Sequence, residues 1–374
     1  MTVVIANEEE MKDPRKIGEL ISKNKIEMIQ VTPSRLRILL DTCPECFLNL
    51  KDILVGGEQF PQDLADRLFA ATTARVFNLY GPTETTIWST IKELKPAEKV
   101  TIGKPMANTQ CYILDPWMNV QPIGVWGELY IGGEGLAIGY HNRPDLTAER
   151  FIENPYKPGT RIYRTGDIVR WTEDGEIEFK GRNDRQIKLN GYRIELEEIE
   201  TALRKQEGIA DAAVVIQAKN GISFLVAFYQ SVAEISNMAL RKQLRQALPD
   251  YMIPAQFIRL EQFPQTPNGK LDIKALEKMA EDINNSQMED VIYQETELSS
   301  RIADIWKSVL GLDRISLKDN FFDIGGSSMY ALQVMMRMED EFGMRPQFAD
   351  FIHYTLGQFA EEYEKKLKEK PNAV

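Results

Sequence analysis

Asp319-Asn320-Phe321-Phe322-Asp323-Ile324-Gly325-Gly326-Ser327-Ser328-Met329 sets a hydroxyl just after two glycines and just before an apolar run at helical spacing, Leu332, Met335, Met336 and Phe342. Serine is a preferred residue where a helix begins. The unpaired backbone N–H groups of a first helical turn favour a phosphate ester on that hydroxyl. Local physics therefore leaves two readings open: a helix cap, or a site for covalent, phosphate-bearing modification. Around this stretch the pattern is helical, with helices expected over 298–310, 328–342 and 356–368 and a short turn near 347–352. That fits a small four-helix bundle.

Upstream of the bundle, residues 278–297 are polar, hold little that could be buried over 281–290, and read as a linker. Before them lies a compact α+β pattern: helix 195–205, strands 210–217 and 223–228, helix 238–247. From about 111 to 180, strands at 127–131, 162–171 and 177–180 are separated by Gly, Pro and Asp turns, the texture of a β-rich, barrel-like part. The first stretch alternates strand 3–5, helix 14–22, strand 27–31, helix 34–40, strand 53–55, helix 61–70 and strand 74–79. Such alternation predicts an α/β layer on a largely parallel sheet. No internal repeat is visible.

Composition narrows the function classes. The chain is long enough for two or three domains. A net charge of −11 argues against a nucleic-acid surface. No apolar run approaches the length of a membrane span, and the first residues lack the basic start of a secretory signal. Three cysteines without a signal suggest a reducing cytoplasm. Cys43-Pro44-Glu45-Cys46 has the spacing of a redox or half-zinc motif, but no second CxxC exists and the histidines number 2, so structural or surface cysteines are expected.

The quoted stretch resembles the attachment site of a peptidyl carrier protein, the thiolation domain of nonribosomal peptide synthetases, whose pattern is Asp-x-Phe-Phe-x-x-Gly-Gly-x-Ser-hydrophobic. The match puts a 4'-phosphopantetheine arm on Ser328, with Ser327 where the family more often has His or Asp. Residues 1 to about 276 resemble the adenylation domains of the same enzymes, through motifs in the family's order. Taken singly, each motif also reads as an ordinary turn; the ordered set is what is specific.

In Asn78-Leu79-Tyr80-Gly81-Pro82-Thr83-Glu84-Thr85-Thr86, an aromatic beside a Gly-Pro turn offers a flat face, and a nearby carboxylate can hold Mg²⁺. The resemblance makes Tyr80 the adenine stacker, Thr83 a phosphate neighbour and Glu84 the metal ligand. Through Tyr163-Arg164-Thr165-Gly166-Asp167 the resemblance makes Asp167 the ribose ligand. In Gly181-Arg182-Asn183-Asp184, continuing to Arg193, the resemblance assigns Arg182 to the ribose side and makes Asp184 the pivot of a rotating small subdomain. Asn190 stands where the family often has Arg. Pro267-Asn268-Gly269-Lys270 presents Lys270 as the adenylation lysine, able to neutralise charge growing at the α-phosphate. The amino-acid pocket is expected to be lined by Leu54, Gly56, Leu79, Ile87 and Trp88, with Trp88 narrowing it.

The resemblance implies a multidomain chain: residues 1–181 from the adenylation large subdomain, 182–277 the small subdomain, 278–297 a linker and 298–374 the carrier. It implies ATP, Mg²⁺ and an amino acid as reactants in a ligase of antibiotic biosynthesis. Implied partners are a phosphopantetheinyl transferase, condensation or thioesterase domains and an MbtH-like protein. The family's Ser/Thr/Gly-rich phosphate loop ending in Pro-Lys-Gly is not found in the chain. The expectation is therefore of an incomplete large subdomain, inactive in adenylation alone, with a carrier or docking fragment as the alternative function. A stand-alone acyl-CoA ligase is disfavoured by the fused carrier.

Overall fold

The computed structural model describes residues 2–369 except positions 8, 9, 12, 190, 220, 221, 234, 267, 269, 287–295, 313, 323 and 327. The chain divides into two compact units, Met1–Arg193 and Ile194–Val374.

The first unit opens with the expected α/β layer. Helix α1 (Pro14–Asn24) starts on proline, with the Asp13 side chain accepting from the Arg15 N–H, and α2 (Pro33–Thr42) repeats the device with Thr32 as cap. Strands β1 (Met28–Val31), β2 (Asp52–Gly56) and β3 (Arg75–Tyr80) pair in parallel, with helix α3 (Gln62–Ala71) linking the last two. Ile53, Val55 and Val76 are fully buried under these helices, as a covered parallel sheet requires. β4 (Thr90–Leu94) and β5 (Lys104–Pro105) extend the sheet antiparallel. The expected strand at 3–5 is not formed: Val3 and Ile5 are 70% and 86% exposed in irregular chain.

A second, antiparallel sheet runs β10–β9–β7–β6. Its strands are β6 (Thr109–Leu114), β7 (Gly127–Gly133), β9 (Arg161–Trp171) and β10 (Ile177–Arg182), with β8 (Phe151–Glu153) on β9 after the short helix α4 (Pro144–Arg150). A bridge between Gly103 and Ile177 ties it to the first sheet, and Tyr80, Ile113, Ile131, Val169 and Ile177 share one core. This is the expected β-rich, half-barrel part. A two-stranded hairpin, β11 (Gln186–Leu189) and β12 (Tyr192–Glu195), follows, and the first unit ends inside β12.

The second unit holds two cores. In one, helix α5 (Leu196–Arg204) precedes the sheet β13 (Ile209–Lys219), β14 (Ile222–Ser231) and β15 (Gln256–Leu260), with α6 (Asn237–Leu244) between the last two strands. Helix α7 (Ile273–Ser286) buries Leu276 and Ala280 against this sheet. It therefore carries helix into residues expected to be linker; the rest of that linker, 287–295, lies outside the described residues.

The other core is the expected bundle: α8 (Glu297–Leu310), α9 (Ser328–Phe342), α10 (Phe348–His353) and α11 (Leu356–Glu369). Thr296 and Ser299 cap α8 reciprocally, and Gly311 closes it in the left-handed region. Trp306, Phe321, Phe351 and Phe359 pack at its centre with ring centroids 4.8 to 5.8 Å apart.

Candidate functional site

In the first unit, β3 ends at Tyr80, and the turn that follows carries Thr83 and Glu84. This is the carboxyl end of a parallel strand, where open α/β sheets place their ligands. β9 brings Asp167 beneath Tyr80, and the Tyr80 hydroxyl donates to Asp167 Oδ2. Arg182 Nη1, at the end of β10, donates to Asp167 Oδ1 at 2.7 Å. The same guanidinium grips Asp184 through Nε and Nη2, both at 2.7 Å, and reaches the Thr165 carbonyl at 2.9 Å. The Lys188 ammonium lies 5.6 Å from the Tyr80 ring centroid, within cation–π range.

Beside this group lies a second one. Glu84 is 7% exposed. Arg193 Nη1 donates to its Oε1 at 2.9 Å and Oε2 at 2.8 Å, and the Tyr140 hydroxyl donates to Oε1 at 2.6 Å. Arg193 Nη2 also reaches the Tyr163 hydroxyl at 3.4 Å.

The electrostatics follow from this pairing. Burial alone would raise the Glu84 carboxyl, but the Tyr140 hydroxyl and the Arg193 charge outweigh it, and the group sits below its ordinary value. Asp184 is likewise held down by Arg182 against burial. Asp167 is deeper; burial wins there over Arg182 and Tyr80, and its carboxyl is raised. Burial also lowers Lys188, against the pull of Asp167.

The pocket residues are placed less uniformly. Gly56 and Leu79 are buried, Leu54 and Trp88 half-buried. A Cβ on Gly56 would lie 2.6 Å from Trp88 Cη2, so the indole rests on glycine backbone and narrows the space there. Ile87, the fifth residue expected to line the pocket, sits on a turn. It is 57% exposed, at φ 72°, and the Trp88 N–H donates to the Thr86 carbonyl across it, a tight three-residue turn. Thr86 too is left-handed, at φ 62°, and two β-branched residues in succession there mark stored backbone strain.

Lys270 and Ser328 belong to the second unit. Lys270 is exposed on a tight turn, where Thr266 N–H donates to its carbonyl at 2.7 Å. Ser328 is the first residue of α9, while Ser327 and Asn190 lie outside the described residues. The residues before Ser328 act as its foundation. Asn320 donates to the Phe351 and Tyr354 carbonyls and accepts from the Phe322 N–H. The Gly326 N–H bonds the Phe321 carbonyl at 2.9 Å, and a Cβ on Gly326 would lie 2.3 Å from the Phe321 ring. Only glycine allows that approach.

Motif reading missed Tyr140, Arg193 and Lys188 as members of the site. Arg193 follows a Gly-Tyr turn and could have been suspected as a cation near a carboxylate; Tyr140 carries no local signal. Cys43 and Cys46 are both buried, with their sulfurs 4.0 Å apart. Among the described residues no cluster of three or more His, Cys, Asp or Glu could hold a metal. Glu84 still suits Mg²⁺, which commonly takes one or two carboxylates plus substrate phosphates rather than a protein cage.

The first unit thus holds a tyrosine–carboxylate–arginine cluster at the end of a parallel strand, and the second a four-helix bundle with a serine at a helix start. Comparison with known proteins gives the class, an adenylation domain joined to a carrier domain. The family described as AMP-binding enzyme matches residues 1–141, AMP-binding enzyme C-terminal domain matches 198–270, and phosphopantetheine attachment site matches 300–362. The chain is 43% identical over 345 residues to a dimodular nonribosomal peptide synthase of Bacillus subtilis (strain 168), covering 91% of this chain and 14% of that protein. It is 38% identical over 368 residues to tyrocidine synthase 3 of Brevibacillus parabrevis, covering 96% of this chain and 6% of the other. Among solved structures, holo-PA1221, an NRPS protein containing adenylation and PCP domains bound to a vinylsulfonamide inhibitor, superposes with a TM-score of 0.78 at 30% identity, covering 94% of this chain and 60% of that one. The chain belongs to the nonribosomal peptide synthetases, as an adenylation domain fused to a peptidyl carrier domain.

Proposed function

We propose that this chain is an adenylation–thiolation unit, which activates an amino acid as its aminoacyl-AMP and passes the acyl group to a thiol carried on Ser328. In the first step an oxygen of the amino acid carboxylate attacks the α-phosphorus of ATP and pyrophosphate leaves. In the second, the acyl carbon would exchange its bond to AMP for one to a thiol, AMP leaving and the thiol proton passing to water. Asp167 accepts from the ribose hydroxyls, Arg182 steadies that carboxylate, and Tyr80 offers its ring to adenine. Thr83 stands at the phosphates, and Lys270 neutralises charge at the α-phosphate. Leu54, Gly56, Leu79, Ile87 and Trp88 shape the amino-acid pocket. Asp184, gripped by Arg182, is the pivot between the two steps. A divalent cation on Glu84 would supply charge neutralisation at the phosphates, and a pantetheine arm on Ser328 would supply the thiol. Tethering makes the second step effectively intramolecular.

The observation that carries this reading is the convergence of Tyr80, Asp167, Arg182 and Asp184 in one bonded cluster from three separate motifs. A phosphopantetheinyl transferase, condensation or thioesterase domains and an MbtH-like protein are the partners it calls for, in a cytoplasmic setting that free Cys43, Cys46 and Cys111 suit. Among the described residues no helix is long and apolar enough to cross a membrane. A second reading, carrier only, is favoured by one fact: no run ending in Pro-Lys-Gly occurs in the sequence to cradle phosphates. Amino-acid-dependent pyrophosphate exchange separates the two; exchange by this chain supports the first, and none supports the second. Intact mass after pantetheinylation tests the carrier in either case. Ser328→Ala should abolish the mass gain, and full modification of that variant would move the arm to another residue.

A further inference from the structure

Cys43 and Cys46 take no part in the function proposed above, yet the chain makes a place for them. Cys43 ends α2, and the 3₁₀ turn Pro44–Phe47 follows at once, closed by the Cys46 N–H on the Cys43 carbonyl at 3.1 Å. In a 3₁₀ turn the side chains at i and i+3 eclipse. That stacks the two thiols on one face, their sulfurs 4.0 Å apart, while Pro44 and Glu45 between them are exposed. A rise of about 2 Å per residue sets the two Cα atoms about 6 Å apart, inside the window a disulfide spans. Both thiols are buried and share a core with Ile21 of α1. On that helix Gly18 faces them: a Cβ there would lie 3.0 Å from Cys43 Sγ and 3.6 Å from Cys46 Cβ. Glycine inside a helix is unfavourable against alanine, so α1 gives up stability to seat the sulfurs. The hydrogen bond between the two sulfurs holds Cys43 below its ordinary value and raises Cys46, so Cys43 is the first to give up its proton.

We propose that Cys43 and Cys46 are a modification site for hydrogen peroxide, which closes them into a reversible disulfide within the native fold. The Cys43 thiolate attacks one peroxide oxygen: the S–O bond forms, the O–O bond breaks, and the departing hydroxide takes up the proton that Cys43 released. The Cys46 sulfur then attacks the sulfenic sulfur: the S–S bond forms, the S–O bond breaks, and that hydroxide leaves as water with the Cys46 proton. Two thiols are oxidised by two electrons in all, and one peroxide is reduced to two waters. A dithiol reductant restores the pair by exchange. Closing the bond keeps Cys43 from climbing to the sulfinic acid, which would leave an irreversible charge in the core. Cys111 belongs to a different core, on β6, and serves as the internal control.

The test is thiol counting on the full chain, by alkylation under denaturing conditions and mass spectrometry. It is made before and after hydrogen peroxide, at a dose that oxidises the same pair in the urea-unfolded chain. Folded wild type should pass from three free thiols to one, with Cys43 and Cys46 in one linked peptide and Cys111 still alkylated. Dithiothreitol should bring back all three. Against a graded dithiothreitol buffer the folded pair should be about tenfold harder to reduce than the unfolded one, because the fold already holds the sulfurs together. Cys46→Ala should stop at a Cys43 sulfenic acid, trapped by dimedone, and Cys43→Ala should keep Cys46 as a thiol. The wild-type measurements decide the matter by themselves if neither variant folds. Three free thiols retained by folded wild type at that dose, a bond to Cys111 in place of the pair, or a folded pair reduced as readily as the unfolded one overturns the proposal.

Discussion

Glu84 and Asp167 in the first unit are ringed by charge, whereas Ser328 in the second starts a helix founded on aromatic rings. Around the two carboxylates, Arg182, Arg193, Tyr80 and Tyr140 answer every oxygen. Below Ser328, the Phe321 ring is buried against Trp306 and Phe351, and Asn320 is satisfied by backbone. The difference reflects two tasks. On the function proposed above, a site that admits a polyanion and later releases AMP keeps its charges paired with one another until substrate displaces them. On the same proposal, a serine presented to several partners in turn gains from a scaffold that does not rearrange.

The contrast is broken most severely at Trp306. This side chain is fully buried amid Phe321, Phe351 and Phe359. Trp306→Ala should cost about 3–5 kcal/mol, as large-to-small changes in such cores do. The bundle holds its own core, so thermal melting should show one transition moved far down while the first unit's stays in place. A shared shift of both would mean that the bundle is not the independent scaffold argued here.

Gly326 probes the same scaffold at the serine itself. A Cβ there overlaps the Phe321 ring at 2.3 Å and its carbonyl oxygen at 2.4 Å. Gly326→Ala should destabilise by about 1–3 kcal/mol, the range for forcing atoms into a packed site. It should also slow pantetheinylation at temperatures where the bundle is still folded, because the start of α9 has to shift. Wild-type modification rates in a folded variant would show that the glycine serves packing alone.

The reach of sequence reasoning divides along the same line. The bundle was legible because its signals are local: a serine start, a period of 3.6 and an apolar face place 328–342 where the helix in fact lies. Tyr80, Asp167, Arg182 and Asp184 were legible because each sits in a compact motif. Tyr140 was not, since it meets Glu84 from 56 residues away on a loop with no pattern. The turn at Thr86 and Ile87 was not legible, because spacing cannot foresee two left-handed residues in a row. The polar start of the expected linker became helix because Leu276 and Ala280 find a sheet to cover, a tertiary contact that composition does not reveal. The strand expected at 3–5 failed for the opposite reason: Val3 and Ile5 stay exposed, so their apolar pattern finds no burial among the described residues.

The smallest effect expected is a pH dependence confined to the charged region. Glu84 lies below its ordinary value of 4.5, with burial opposing and Tyr140 and Arg193 prevailing. As pH falls, the unfolded chain takes up this proton before the folded one does. Its contribution to stability is therefore complete above 4.5 and is lost as pH drops through the lower folded value. Glu84→Gln cannot titrate, so acid unfolding followed by circular dichroism should show wild type falling towards the variant below 4.5. The gap between them should be constant from there to neutrality. The loss is modest because burial of the carboxylate already opposes the pairing that favours it. The second unit's bundle transition, resting on rings rather than on this ion pair, should follow the same course in both proteins. A gap that instead widened below 4.5 would mean that Glu84 is held protonated, and that Arg193 does not dominate its surroundings.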